Sequence, residues 1–331
     1  MNSDEIGERL RQGRTLSNLD LSGQALAGAN WRGGVLRRVC LAGADLGGAD
    51  LRDALLAECD LGGASLAGAR LAHAVFDHCD MGRAALDAVA GTQAEFRRCV
   101  LEGASLRKAD LGRAEFSGGR LAGADFTRAD LSRAFFHEAD LSEATLASAN
   151  LHQAWLRGAN LAGLGFEGCD LRLALLDGAD VSGCDFSGLD LRQISLAGAK
   201  AGGASFRLAS AEYARLQGAD CSAADFSQCR FEACDFSGAN LEQARLGRAV
   251  LNRSMFRKAA CGRADFTGAR LEYADFSHAD LAGTVFRSAI LSMANMHQAS
   301  LGLADTRGAD LGGLRTTDRD LAEAEVWSPP A

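Results

Sequence analysis

From Leu16 onward a large apolar residue recurs at every fifth position: Leu21, Leu26, Trp31, Leu36, Leu41, Leu46, and so on without a slip of frame to Leu321 and Val326. Calling this position i, a small residue, mostly Ala, stands at i−2. Asp or Asn is frequent at i−1, and i+1 and i+2 are polar or Gly, as in Ala44-Asp45-Leu46, Ala109-Asp110-Leu111 and Ala239-Asn240-Leu241. Neither regular element can use this period. Five residues advance about 500° around an α-helix and smear the apolar stripe over all sides. A straight strand alternates with period two, so an odd repeat turns every second Leu outward. Locally, however, i−2 and i share one side of an extended segment. The pattern therefore predicts a very short extended piece followed by a two-residue corner that restores the facing. Gly is common at i+2 (Gly23, Gly28, Gly43, Gly48), where such a corner calls for positive φ. Repetition winds a coil with i and i−2 inside.

The phenylalanines set the number of repeats per coil. Of the 16, all but Phe135 fall at i. Nine pairs are separated by twenty residues, among them Phe76–Phe96, Phe96–Phe116, Phe206–Phe226 and Phe256–Phe276, and none by fifteen. Rings stack best on rings directly above them, so four repeats close one coil.

The chain thus resembles the pentapeptide-repeat family, whose pattern is A(D/N)LXX, over residues 15 to 326 or so. The resemblance implies an all-β fold: a right-handed, quadrilateral parallel β-helix of about 15–16 coils, on the order of 75 Å long at the spacing of stacked strands. It also implies short helical caps, so the expected division is a capping helix over 1–14, the β-helix over 15–316 and a cap or tail over 317–331.

Composition changes this picture little. Length alone suggests two domains, but the unbroken repeat argues for one solenoid, and both Pro residues lie at 329–330. No apolar run is long enough for a transmembrane helix, and Met1–Leu10 is too polar for a secretory signal. A cytoplasmic location is expected, with export lacking a conventional signal left open. The ten Cys mostly replace small or apolar core residues: Cys59, Cys79, Cys99, Cys169, Cys184, Cys229 and Cys234 at i−2, Cys221 and Cys261 at i. They read as buried filler, free in a reducing compartment, with Cys40 alone facing out. Cys59, Cys79 and Cys99 fall in one column, where a redox ladder is a minor alternative. Net charge is −8, and 25 of the 43 acidic residues sit at i−1, where Asp and Asn side chains bond nearby backbone at turns.

Solenoid ends expose core and unpaired backbone. Residues 3–12 read as a helix with Ser3 as N-cap and Gly13 as its stop. Near the other end Thr317 and Asp320 resemble a capping-box start. Leu321, Val326 and Trp327 then form either a second cap or a dimer contact, the latter being what the family resemblance implies. The core thins at three places: Gly91 at an i position, Ala201 with Ala211, and Thr306 with Thr316.

Candidate chemistry is sparse. There is no phosphate-binding loop, no GxSxG and no HExxH. The six His, folded at period twenty, place no three together with a Cys or carboxylate cluster, and His73 with His78 reads as solvated surface rather than a weak metal site. No catalytic, cofactor-binding or metal-ligating residue is expected, and no enzyme activity. One column departs from the repeat. Its i−1 residues read Val35, Leu55, Val75, Glu95, Glu115, Phe135, Trp155 and Leu175, then Ser195 and Arg215, where the other columns are mostly polar with occasional exceptions such as Val250 and Ile290. This predicts an outward apolar stripe centred on Phe135, Trp155 and Leu175, of the kind that marks contact surfaces, unless neighbours such as His137 and Arg157 cover it. The favoured function is a rigid, non-catalytic bacterial scaffold or adaptor that binds a protein, a second copy of the chain being one candidate. The alternative, drawn from the resemblance, is a DNA-mimicking inhibitor of a type II topoisomerase, with DNA gyrase as partner. The acidic column Asp60, Asp80, Asp140, Asp180, Asp220 and Asp280 would present the charge. Widely spread Arg residues dilute that field. Neither reading involves direct nucleic-acid binding or membrane insertion.

Overall fold

The computed structural model describes residues 3–326. The chain divides into two compact units, Met1–Ala179 and Asp180–Ala331. Both are built on the same right-handed, quadrilateral parallel β-helix, with bridges joining residues twenty apart. The first unit opens with helix α1 (Ser3–Arg11) and carries a parallel sheet in the order β1 (Leu16–Ser17), β2 (Val35–Arg37), β3 (Leu55–Ala57), β4 (Val75–Asp77) and β5 (Glu95–Arg97). Its remaining coil sides, and all those of the second unit, are single-residue bridges such as Asp45↔Ser65 and Asp220↔Asn240. The second unit ends in helix α2 (Arg319–Val326).

The hydrogen bonds explain the repeat residue by residue. In the repeat around Leu46, the Leu46 and Gly48 N–H groups donate to the Ser65 and Ala67 carbonyls one coil on, at 2.7 and 2.9 Å. The Asp45 N–H donates to Gln24 one coil back at 2.9 Å, and Ala49 N–H closes the corner onto the Leu46 carbonyl at 3.0 Å. One donor is left, the Gly47 N–H, and the Asp45 side chain accepts it at 2.9 Å. Every backbone donor of the repeat is thereby paired, and the Asp or Asn at i−1 is the residue that completes the set.

Corners take the left-handed conformation at i+2, whether or not Gly stands there: φ is 63° at Gly43 but also 60° at Arg113 and Tyr213. A non-Gly residue in this region is disfavoured by about 1 kcal/mol, so tertiary pairing overrides the local preference at many corners.

Inside, i and i−2 residues are buried as the sequence predicts. Phe76, Phe96, Phe116 and Phe136 stack with centroids 5.1, 4.9 and 5.0 Å apart. In the second unit Phe236, Phe256 and Phe276 do the same at 5.0 and 4.7 Å. Neighbouring sides meet edge-on, as Phe116 and Phe126 do at 85°. Each such pair adds about 0.5–1.5 kcal/mol beyond burial.

The thin places resolve differently. Leu111 reaches into the space above Gly91, so that a Cβ there would lie 3.0 Å from Leu111 Cδ2. Ala201 and Ala211 are fully buried, the latter's carbonyl accepting the Cys234 thiol at 2.6 Å. Thr306 and Thr316 are exposed, together with Leu301 and Leu311 of the same final coil.

The two helices cap unequally. α1 buries Ile6 and Leu10 against the first coil. Gly34 occupies an i−2 site because a Cβ there would meet Leu10 Cδ1 at 3.0 Å and the Trp31 carbonyl at 2.9 Å. α2 buries no residue. Its N-cap is Asp318, whose Oδ1 accepts the Leu321 N–H at 3.1 Å. Thr317, read from sequence as the cap, instead accepts the Gln298 N–H at 3.1 Å.

Candidate docking groove and terminal cluster

In the first unit the departing column forms one continuous ladder. Val35, Leu55, Val75 and Glu95 pair in register through β2–β5, and Glu115, Phe135, Trp155 and Leu175 continue it by single bridges. Direct stacking lets these side chains shield one another from water. Val35, Leu55, Val75, Phe135 and Leu175 are half-buried, and Trp155, at 44% exposure, is the open member. The Phe135 and Trp155 rings lie 5.5 Å apart, tilted by 46°.

Phe135, Trp155 and Leu175, with Glu95 and Glu115, floor a shallow groove of about 1280 Å³, walled by Arg97, Arg113 and Arg133 among others; Val35, Leu55 and Val75 lie outside it. Arg97 pairs with Glu95 and His78 with Asp77, while Arg133 Nε donates to Gln153 at 2.7 Å. Arg98 and Arg113, also on the walls, have no ion-pair partner among the described residues. In a chain of net charge −8 the groove thus offers exposed cations beside an aromatic floor. His137 and Arg157 do not close it: His137 Nδ1 lies 3.0 Å from the Arg157 carbonyl.

The acidic column has a different character. In the first unit Asp60 pairs with Asp80, but Val100 and Arg120 then precede Asp140. In the second, Lys200 separates Asp180 from Asp220, and Asn240 and Ala260 precede Asp280. Each of these six carboxylates accepts its own corner's N–H, from Gly62, Gly82, Ser142, Ser182, Ser222 and Ala282, at 2.9–3.1 Å.

Nine of the ten Cys are buried and all are free. Burial pushes the Cys221 and Cys234 thiols up to about 12. Cys59, Cys79 and Cys99 stand one above another, each donating to a backbone carbonyl at 3.4 Å.

At the end of the second unit Leu321 and Val326 are exposed, at 48% and 78%, and Trp327 lies outside the described residues. One constellation was not foreseen. His278, His297 and Glu325 converge, with donor atoms all within 4.8 Å of one another. Period-twenty bookkeeping missed it because His297 sits one residue before the position directly above His278, and Glu325 arrives on α2, outside the coil. No helix among the described residues is long and apolar enough to cross a membrane.

Ladder and corners together define a parallel β-solenoid. The profile of the family of pentapeptide repeats matches successive stretches between residues 16 and 305: 16–53, 54–89 and then, overlapping from the third onward, 94–305. The chain belongs to the pentapeptide-repeat family. No curated protein matches it. Similar solved structures include a pentapeptide repeat protein of the Arabidopsis thaliana thylakoid lumen, 30% identical, covering 33% of this chain and 77% of that one with a TM-score of 0.30. QnrB1, a plasmid-mediated fluoroquinolone resistance protein, is 21% identical over 66% of this chain and 92% of its own, with a TM-score of 0.32. HetL of the cyanobacterium Nostoc sp. strain PCC 7120, involved in heterocyst differentiation regulation, is 24% identical over 95% and 96%, with a TM-score of 0.18.

Proposed function

We propose that this protein is a non-catalytic scaffold that docks a protein partner in the groove of its first unit. The observation that carries this reading is Trp155, left 44% exposed between half-buried Phe135 and Leu175, with Arg98 and Arg113, which have no ion-pair partner among the described residues, on the groove walls. Aromatic and Arg side chains are the residues most enriched where binding energy concentrates. Nothing in the core requires an aromatic at this outward position. A second copy of the chain is a further partner this reading includes, at the end of the second unit. There the Leu281 and Leu291 N–H groups still donate to the next coil at 2.8 Å, whereas the Leu301 and Leu311 side chains stand exposed at 43% and 42%. An open edge of this kind invites pairing.

A topoisomerase inhibitor that mimics DNA is less well supported. Arg120 and Lys200 interrupt the acidic column, and its carboxylates are engaged in their own corners.

The test is affinity capture on immobilised protein, with Phe135→Asp/Trp155→Asp and Asp140→Lys/Asp220→Lys variants side by side. All four side chains point outward, but Asp140 and Asp220 each also accept a corner N–H, so the fold of every variant is first verified by circular dichroism. The docking reading expects captured protein to be lost with the first pair alone. Loss with the second pair alone, accompanied by inhibition of gyrase supercoiling by the unaltered protein, would replace it with the mimic.

A further inference from the structure

We propose that His278, His297 and Glu325 form a site for a zinc-type divalent cation that fastens α2 to the coils of the second unit. The helix needs such a fastening. It buries no residue, and the contacts that hold its last turn converge on one carboxylate, Glu325. His278 Nε2 lies 3.4 Å from Oε1 of that carboxylate and His297 Nε2 3.3 Å from Oε2. Ligand atoms at about 2.0–2.1 Å around a tetrahedral zinc stand roughly 3.3 Å apart; each imidazole already stands at about that distance from one oxygen of the carboxylate, a different oxygen for each, in a cluster whose donor atoms all lie within 4.8 Å of one another. Two imidazoles and one carboxylate are a donor set that suits zinc and leaves a fourth position for water.

The surroundings suit the assignment. His297 is 4% exposed, so its ring is held by packing rather than free in solvent. Gln298 Nε2 donates to Glu325 Oε2 at 2.8 Å and orients the carboxylate as an outer-shell partner does. The cluster opens on a cleft of about 600 Å³, which supplies the route for an ion. Of the two arginines on its walls, Arg257 is paired with Asp275 at 2.5 Å.

One contact must be exchanged. The Asp318 N–H points at His297 Nδ1 at 3.1 Å, which places the ring proton on Nε2. A metal on Nε2 needs that proton on Nδ1, so the Asp318 amide has to release the ring. One neutral hydrogen bond is a small loss against three coordinate bonds, and the amide becomes a reporter of loading.

The experiment is calorimetric titration of the chelator-treated full chain with zinc chloride alone, repeated on Glu325→Gln, His278→Asn and a His73→Asn/His78→Asn control, with the Asp318 amide followed by NMR. The proposal expects one zinc per chain. It also expects at least a tenfold loss of affinity in the first two variants, no loss in the control, and a shift of the Asp318 amide on loading. Glu325→Gln preserves size and hydrogen bonding, so its folding can be verified by circular dichroism before titration. Absence of binding below about 100 μM, affinity unchanged by either cluster variant, or loss confined to the control would each overturn the site. These outcomes are independent of the groove in the first unit.

Discussion

Gly91 and Leu111 test the stacking of coils at its most local point. They occupy i positions one coil apart, and Leu111 fills the space that a side chain on residue 91 would have taken. Gly91→Ala alone buries one methyl, favourable by about 0.8 kcal/mol, and restricts the unfolded chain, favourable by about 0.4–1 kcal/mol. Against this stands the 3.0 Å approach to Leu111 Cδ2, an overpacking of the kind that disfavours the fold by about 1–3 kcal/mol. The expected net lies between a stabilisation of about 1 and a destabilisation of about 2 kcal/mol. Leu111→Ala alone removes a side chain that is fully buried and merges its cavity with the vacancy at 91, placing it near the top of the usual range, about 4–5 kcal/mol. In the Leu111→Ala background the obstruction is gone, so Gly91→Ala should stabilise by about 1–2 kcal/mol, a coupling of about 1–3 kcal/mol between the two sites.

Stacked repeats do not unfold in one step, so the measurement is native-state hydrogen exchange rather than a single melting curve. The amides of Gly91 and Gln93, which donate to the coil above at 2.7 and 2.9 Å, report directly on the site. If Gly91→Ala shifts their protection equally in both backgrounds, within about 0.5 kcal/mol, the two residues do not share a space and the argument for Gly at 91 fails.

Other outcomes follow from the same geometry. The Asp50 carboxyl is held down at about 2, first by the Arg52 guanidinium that grips it, with Arg70 adding attraction from the next coil at 2.6 Å. A depressed carboxylate stabilises the fold above its unfolded value near 4 and loses that contribution as pH falls towards 2. Asp50→Asn should therefore weaken local protection by about 1–2 kcal/mol at pH 7, allowing for the solvent screening of Arg70, and the difference should vanish near pH 2; a difference constant with pH would refute it. Burial of nine thiols predicts that a thiol reagent labels Cys40 alone in the native protein and all ten after denaturation; rapid labelling at Cys59, Cys79 or Cys99 would contradict that. Leu208, exposed with φ of 61°, should gain about 0.5–1 kcal/mol of local stability on conversion to Asn, which tolerates this region better; loss of protection there would show that the Leu side chain has a packing role.

The sequence was most legible where one physical requirement repeats. Burial at i and i−2, twenty-residue stacking of Phe and the outward placement of Cys40 all follow from a single period, and each is present, although burial at i ends before Leu301, from which the i positions are exposed. The turn role of Asp at i−1 was legible in kind, but its completeness, the capture of the one N–H otherwise unpaired, needed coordinates. What the period could not show were contacts made from outside it. Gly34 is small because Leu10 of α1 rests on it, and α1 lies before the first repeat. Asp318, rather than Thr317, caps α2 because Thr317 is drawn to Gln298 one coil earlier. The apolar column was visible as a departure, yet its half-burial was not. Residues stacked about 4.8 Å apart shield one another in a way that single positions do not reveal.

That self-shielding bears on what the groove is for. An isolated apolar residue on a coil side would be open on both flanks, whereas a run of them leaves exposed chiefly the largest, and here that is Trp155. The ladder therefore needs no partner to keep its Val and Leu members from water, and avoiding aggregation does not explain an indole at its centre. A smaller residue would have sealed the ladder better. About 110 Å² of a large aromatic's roughly 250 Å² remains to be buried at 44% exposure. At about 25 cal/mol per Å² this corresponds to nearly 3 kcal/mol, or about a hundredfold in affinity, available to whatever docks against it. On the docking reading proposed above, the indole's size, the flanking cations and the shallow floor share one cause, a partner's surface.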